Sequence, residues 1–411
     1  MTLNAAWATW AGRTEMRLAV IFHRLGPYHY ARLRAANRVK PIVALELSGE
    51  DKTYAWAHVT GDAEFERHVI FPAVDCESLL CRRIYDGVRK KLDAIRPDAV
   101  VIPGFYDKGA LSSLMWCNEH GVPGIVVSDT TQRDFRRHFW REWVKRKVTA
   151  RFSAALVGGQ AQAEYLVKLG MREDRIFPGY DVVDNEYFST RADQVRQNAR
   201  RYRDEHSLPE QYFLTSNRFI ARKNLFRLAT AYAEYRRQAA DPWDLVMLGD
   251  GELMPLLTRH IDALGLRDHI LLPGFRQYEE LPIYYALAGC YIQASTAEPW
   301  GLTVNEAMAS GLPVLVSNVC GCAKDLLREP GNGFALDPCD TANMAQKMLR
   351  ISDAGCDREA MGRMSRQIIS QWGCGRFGEN LWKAAERACQ DPVRRNDRTG
   401  ALILKALVFL K

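Results

Sequence analysis

Short apolar runs rich in Val, Ile and Leu alternate with segments of helical periodicity along most of the chain. In the first half the runs are RLAVIF (17–22), KPIVALEL (40–47), HVIF (68–71), DAVVIPG (98–104), GIVVSD (124–129) and AALVGG (154–159). They lack strict polar–apolar alternation, which is the pattern of strands covered on both faces. Stretches between them, such as ESLLCRRIYDGVRKKLDAI (77–95), read as amphipathic helices. Around 189–210 the pattern breaks into TRADQVRQNARRYRDEHSLPE, polar and closed by a proline. It then restarts with YFLTSN (212–217), WDLVMLGD (243–250), HILLPG (269–274), CYIQAS (290–295), PVLVS (313–317) and GFALD (333–337). Strand–helix alternation of this kind predicts parallel sheets with helices on both faces. The expected class is α/β, with two Rossmann-like doubly wound domains facing across a cleft. The predicted divisions are an N-terminal domain over 15–188, a partly helical linker over 189–210, a second domain over 211–375 and a helical segment over 376–411 that closes the second domain or crosses back to the first.

Composition changes this picture little. A length of 411 residues suits two cores rather than one. No run of about eighteen apolar residues predicts a spanning helix. The start, MTLNAAWATWAGRTEM, lacks the basic-then-apolar order of a secretory signal. The ten cysteines form no CxxC pairs, so free thiols in a reducing compartment are expected, and no His/Cys cluster has zinc spacing. The expected location is the cytoplasm. The net charge of +7 is concentrated: RDFRRHFWREWVKRKVTAR (133–151) holds eight Arg or Lys against two acids. That is a local patch rather than the general basicity of a nucleic-acid coat, and no nucleic-acid partner is expected. As a helix it would carry Phe135, Phe139 and Trp143 on one stripe, beside Arg136, Arg137, Arg141 and Lys145. Aromatics beside cations suit an anionic membrane surface at the inner face of the cell membrane. The alternative is a core-facing aromatic stripe with a solvated basic face.

Ligands of doubly wound sheets bind beyond the carboxyl ends of the strands, so the loops there carry the candidate chemistry. In AEPWGLTVNEAMASGLPVLVS, seven uncharged residues separate Glu298 from Glu306. Pro299 and Gly301 prevent one helix from joining them. A helix starting over Gly301, Leu302 and Thr303 would aim its first-turn amides and positive dipole end between the two carboxylates. An anion fits the middle and hydroxyl-rich groups fit the ends, which is the layout of a nucleotide-sugar. In SNRFIARKN, Arg218 and Lys223 follow a strand and precede a helix, where they could clamp a diphosphate. The LGDGE turn around Gly251 needs glycine geometry, and Phe275 ends the next strand, where backbone could meet a base.

EPWGLTVNEAMASGLPVL resembles the signature segment of retaining glycosyltransferases of the GT-B fold, family 4 in particular. SNRFIARKNL (216–225), VMLGDGEL (246–253) and ILLPGFRQYEELPIYYALAGCYIQAS (270–295) are similar to further landmarks of that family, in the same order. The resemblance implies that Glu298 contacts the donor sugar and Glu306 the ribose, with retention at the anomeric carbon. It implies a nucleoside-diphosphate sugar as donor, a glycan or lipid-linked acceptor, and a role in bacterial surface polysaccharide synthesis.

The first domain resembles the family less. Gly26, in IFHRLGPYHYARL, falls where the family has a glycine loop near the donor phosphates. His29 either faces the cleft or belongs to the helix start. After GIVVS, many family members have a histidine; this chain has Ser128 and Asp129. Asp129 could bind sugar hydroxyls, take the acceptor proton, or N-cap a following helix. No Asp-x-Asp occurs, so no metal and no cofactor is expected: Arg218, Lys223 and the helix dipole would neutralise the leaving diphosphate. Two other readings use the same fold: a nucleotide-sugar epimerase, and a non-catalytic nucleotide-sugar binder.

Overall fold

The computed structural model describes residues 16–49, 64–134, 138–393 and 397–410. The chain forms two compact units, dividing after Val182 and again after Gly373, so the C-terminal segment belongs with the first unit. The first sheet contains β1 (Leu18–Phe22), β2 (Ile42–Ser48), β3 (Glu66–Phe71), β4 (Ala99–Pro103), β5 (Gly124–Ser128), β6 (Ala154–Val157) and β7 (Ile176–Pro178). Their order is β3-β2-β1-β4-β5-β6-β7. The second contains β8 (Tyr212–Ser216), β9 (Asp244–Leu248), β10 (Ile270–Gly274), β11 (Cys290–Gln293), β12 (Val314–Ser317) and β13 (Gly333–Leu336), in the order β10-β9-β8-β11-β12-β13. Neighbouring strands pair in parallel throughout, for example Val20 opposite Ala44 and Tyr291 opposite Val314. Each sheet is therefore a Rossmann-type sheet. Its strand order reverses once, between β1 and β4 in one unit and between β8 and β11 in the other.

The strand positions follow the apolar runs because both sheet faces are covered. Every residue of β1, β2, β5, β6, β11 and β12 is buried. Asp107, Asp184, Asp340 and Asp357 start four of the helices, each accepting the amide three residues on, at 2.8–3.0 Å.

The stretch expected as a linker is two helices of the second unit, Asn185–Gln197 and Ala199–His206. The first buries Phe188, Ala192 and Val195 on one face and sends Arg196 to the Ala286 and Ser310 carbonyls, at 3.1 and 2.6 Å. Asp193 is held by Arg366 at 2.6 Å. A narrow apolar stripe inside a strongly charged sequence is what made it read as a linker.

The returning helix Cys374–Gln390 packs against the helix Pro27–Val39 of the first unit. Trp382 Nε1 donates to the Ala36 carbonyl at 3.1 Å, and Gly378 lies so close that a Cβ there would stand 2.8 Å from the Ala35 carbonyl oxygen. The helix Arg398–Phe409 follows, with Leu404 and Val408 in the first core.

The basic stretch also differs from expectation. Among the described residues its helix is Phe139–Thr149; Phe135, Arg136 and Arg137 lie outside them. Lys145 pairs with Glu142 at 3.1 Å, Lys147 with Asp397 at 3.0 Å, and Arg151 is buried against the Asp397 carbonyl. The aromatics, by contrast, face outward.

Candidate functional site

The switch point of the second sheet brings together two of the sequence candidates. Lys223 comes from the loop after β8 and Glu298 from the loop after β11, and they form a largely buried ion pair through Glu298 Oε2. The same oxygen accepts from Gln293 Nε2 at 2.9 Å and Ser295 Oγ at 3.1 Å. These bonds leave Oε1 for another donor. Gln293 also donates to Asn217 Oδ1 at 3.2 Å, and Tyr291 bonds Gln293 Oε1 at 2.7 Å and Thr303 Oγ1 at 2.6 Å. A buried polar network of this kind fixes the glutamate rotamer. Gln293, Asn217 and Tyr291 were not among the sequence candidates, since polar residues closing an apolar strand give no periodic signal.

Beside the pair, the helix Leu302–Ala309 begins. Gly301, at φ 106°, is its N-cap and lies in the left-handed region. The first-turn amides of Leu302 and Thr303 have no intrahelical acceptor. Gly311, at φ 82°, ends the turn before Val314 opens β12. Glu306 lies in the second turn and is wholly buried, with Tyr285 Oη donating to its Oε2 at 2.6 Å. The Tyr285 bond fixes this buried carboxylate in place. Arg218 is exposed in the loop beyond β8.

The glycine turn after β9 sets this loop in place. A Cβ on Gly249 would fall 1.7 Å from the Asn217 carbonyl oxygen, and one on Gly251 would fall 2.7 Å from that of Phe219. Phe219 N–H in turn donates to the Asp250 carbonyl at 2.8 Å. The glycines thus bring two strand-end loops into backbone contact. Gly249 N–H reaches the Gly274 carbonyl at 3.0 Å, and Phe275, next in the chain, is part-exposed.

The first sheet's switch point has different chemistry. Gly26 caps the helix Pro27–Val39 in an extended conformation, and a Cβ there would meet nothing within 4 Å. His29 belongs to the helix start: its Nδ1 accepts the Gly26 amide at 3.3 Å, and its ring packs 4.4 Å from that of Phe22. Burial, helped by the Arg32 guanidinium, pushes His29 down to about 3, so it stays neutral. The Leu25 amide is held by buried Glu46 at 2.9 Å, itself paired with Arg67 at 2.6 Å.

At the end of β1, His23 turns Nδ1 toward Cys76 Sγ at 3.8 Å and Nε2 toward Asp75 at 3.9 Å. Among the described residues these three form a group with ligand atoms close enough for a metal. The two ring nitrogens serve different neighbours, however, which is a chain of contacts rather than a converging ligand set. Burial pushes the Cys76 thiol up to about 11. Asp107, beyond β4, has its pKa raised by burial although it accepts the Ala110 amide. Asp129 is exposed beyond β5. Among the described residues it caps no helix: the next begins at Phe139, behind His138.

Residues 198–368 match the family described as glycosyl transferases group 1. The match covers most of the second unit, the helix Leu302–Ala309 and the Lys223–Glu298 pair included. Among curated relatives, alpha-D-kanosaminyltransferase of Streptomyces kanamyceticus is 28% identical over 165 residues, 40% of this chain and 42% of that one. Alpha-monoglucosyldiacylglycerol synthase of Streptococcus pneumoniae is 30% identical over 156 residues, 37% of this chain and 34% of that one. The chain thus spans less than half the length of these relatives. Among solved structures, a Rickettsia africae glycosyltransferase covers 91% of this chain and 99% of its own, with TM-score 0.71 and 14% identity. Anabaena Alr3699/HepE, solved with UDP and glucose, covers 90% of this chain and 100% of its own, with TM-score 0.69 and 16% identity. The fold is the two-domain α/β architecture of GT-B glycosyltransferases.

Proposed function

We propose that the chain is a glycosyltransferase that moves a sugar from a nucleoside-diphosphate sugar to a glycan or lipid-linked acceptor, with retention, in the assembly of a bacterial surface polysaccharide. The observation that carries this is the Lys223–Glu298 pair at the β8/β11 switch point, beside first-turn helix amides, inside the segment that matches the group 1 family.

The donor diphosphate sits at the amides of Leu302 and Thr303. Lys223 is then shared between Glu298 and a phosphate oxygen, and Arg218 supplies a second cation. Glu298 Oε1 accepts a sugar hydroxyl. The bond from the anomeric carbon to the phosphate oxygen breaks, and its electrons leave with the diphosphate. The acceptor oxygen attacks from the same face and passes its proton to a donor phosphate oxygen. Stabilising the leaving diphosphate with fixed donors is the main catalytic contribution, and one such donor is worth roughly a hundredfold to a thousandfold in rate. Protein cations carry that task here, so the reaction proceeds without a divalent metal. Asp129, beyond β5, serves the acceptor side. Gly251 and Phe275 line the approach of the base. Glu306, its rotamer held by Tyr285, serves the ribose.

The test is turnover with UDP-, GDP- and ADP-sugars, with and without a glycan acceptor and with a chelator present. One donor should yield nucleoside diphosphate and a product of the same anomeric configuration, only with acceptor and unaffected by chelation. That nucleoside diphosphate, at about a hundred times its dissociation constant, should add ~2.7 kcal/mol to stability. Isomerised sugar without acceptor would identify an epimerase. A nucleotide-induced rise in melting temperature without turnover would identify a binder, and no response at all would remove the donor site.

A further inference from the structure

The helix Phe139–Thr149 carries an outward face that the donor site does not explain. Phe139 is 89% exposed, Trp140 53% and Trp143 49%. Three large aromatics on one face of an eleven-residue helix are costly in water and mark an interaction surface. The opposite face is committed to the interior. Val148 and Thr149 are buried, and Glu142 accepts from Tyr165 Oη at 3.0 and 3.1 Å. The aromatics are therefore not core residues that failed to find a core.

Charge decides the kind of partner. Arg141 stacks 4.9 Å from the Trp140 ring centroid and Lys147 lies 6.0 Å from that of Trp143. Arg133, Arg141 and Arg146 are exposed, whereas the helix's one acid, Glu142, is turned inward to Lys145 and Tyr165. The helix Arg398–Phe409 packs against this one and exposes Leu402 at 69%, with Leu410 just beyond its end at 86%. Aromatic rings and Leu side chains with arginines among them match a headgroup layer, where rings sit at the acyl boundary and guanidinium groups meet phosphates. Among the described residues no helix is long and apolar enough to cross a membrane.

We propose that this helix docks the first unit on an anionic lipid bilayer, with Phe139, Trp140 and Trp143 inserted at the headgroup–acyl boundary and Arg141 and Arg146 on lipid phosphates. Insertion rather than charge supplies most of the hold, because Lys145, Lys147 and Arg151 already bond protein groups and Arg146 shares its guanidinium with the Lys168 carbonyl at 3.0 Å.

The experiment is co-sedimentation of the full chain with vesicles of phosphatidylglycerol and phosphatidylcholine, and with phosphatidylcholine alone. It reads binding without turnover, so its result is separate from that of the transferase assay. Wild type should pellet with the anionic vesicles and less, though still measurably, with the neutral ones. Phe139→Ser, Trp140→Ser and Trp143→Ser together should lower the partition on the order of tenfold or more. Arg141→Glu with Arg146→Glu should lower it by less, and only on anionic vesicles. Melting temperatures of the variants should match wild type, since the replaced side chains are exposed. The proposal is overturned if wild type ignores anionic vesicles, if it binds neutral ones equally, or if the triple serine variant pellets like wild type. It is also overturned if gel filtration shows a wild-type dimer that the serine variant splits, which would make the face a contact between copies.

Discussion

The two sheets share a topology and a switch point, yet they present opposite chemistry there. At β8/β11 the loops are locked. Gly249 and Gly251 press them into backbone contact, and a buried ion pair holds Glu298 in one rotamer. At β1/β4 the loops are roomier. Gly26 has open space above it, and beside the Glu46–Arg67 pair and the His23–Asp75 contact stand a neutral His29, a protonated Cys76 and an Asp107 whose charge is disfavoured by burial. A rigid charged site suits a ligand with an invariant diphosphate. A roomier site suits a partner whose shape varies. One topology can thus carry two kinds of site, through strand-end residues rather than through the sheet.

The largest effect expected is on the ion pair. Lys223→Met strands the Glu298 carboxylate in a mostly buried pocket and should cost ~3 kcal/mol. Turnover should fall by about a thousandfold. Combining it with Glu298→Gln removes the stranded charge and should restore most of the stability, read by denaturant unfolding, while turnover stays lost. A double variant with full turnover would reduce the pair to a structural brace and break the contrast between the two switch points.

Next comes the glycine comparison. Gly249→Ala puts a Cβ into the Asn217 carbonyl at φ 125°, and should cost ~3 kcal/mol or more. Gly26→Ala meets nothing and sits at φ −102°, so its stability should change by less than about 0.5 kcal/mol. If a ligand uses the space over Gly26, kcat/KM should still fall. Unchanged kinetics in Gly26→Ala would mean that the opening is plain solvent.

These contrasts also mark what could be read from the chain. β1, β5 and β12 were legible because strands covered on both faces leave unbroken apolar runs. β7, with three residues, is too short to leave one. The pairing of Lys223 with Glu298 was foreshadowed by their positions after separate strands, but not their direct contact, because the β8/β11 adjacency is a property of strand order. Gln293 was invisible, since its role lies in what surrounds it. The helix Asn185–Gln197 read as no more than a partly helical linker because three apolar contacts anchor thirteen mostly polar residues. For the outward face of Phe139–Thr149, periodicity identified a stripe, but whether a stripe faces core or solvent is decided by neighbours distant in sequence.

The smallest effect expected separates the switch points by pH. Burial raises the Asp107 pKa above that of an unfolded carboxylate, roughly 3.9. Below that value both states are protonated and the group costs nothing. As pH rises, the unfolded chain loses its proton first, so the folded state is progressively penalised until pH passes the raised folded value. Asp107→Asn keeps an oxygen for the Ala110 amide, so the helix cap survives. The variant should therefore melt like wild type near pH 3.5 and higher than wild type at pH 7. A pH-independent difference would mean that the substitution acts through the cap or through packing. A lower melting temperature at pH 7 would show that the Asp107 charge is stabilised in place, and the first switch point would then be charged like the second.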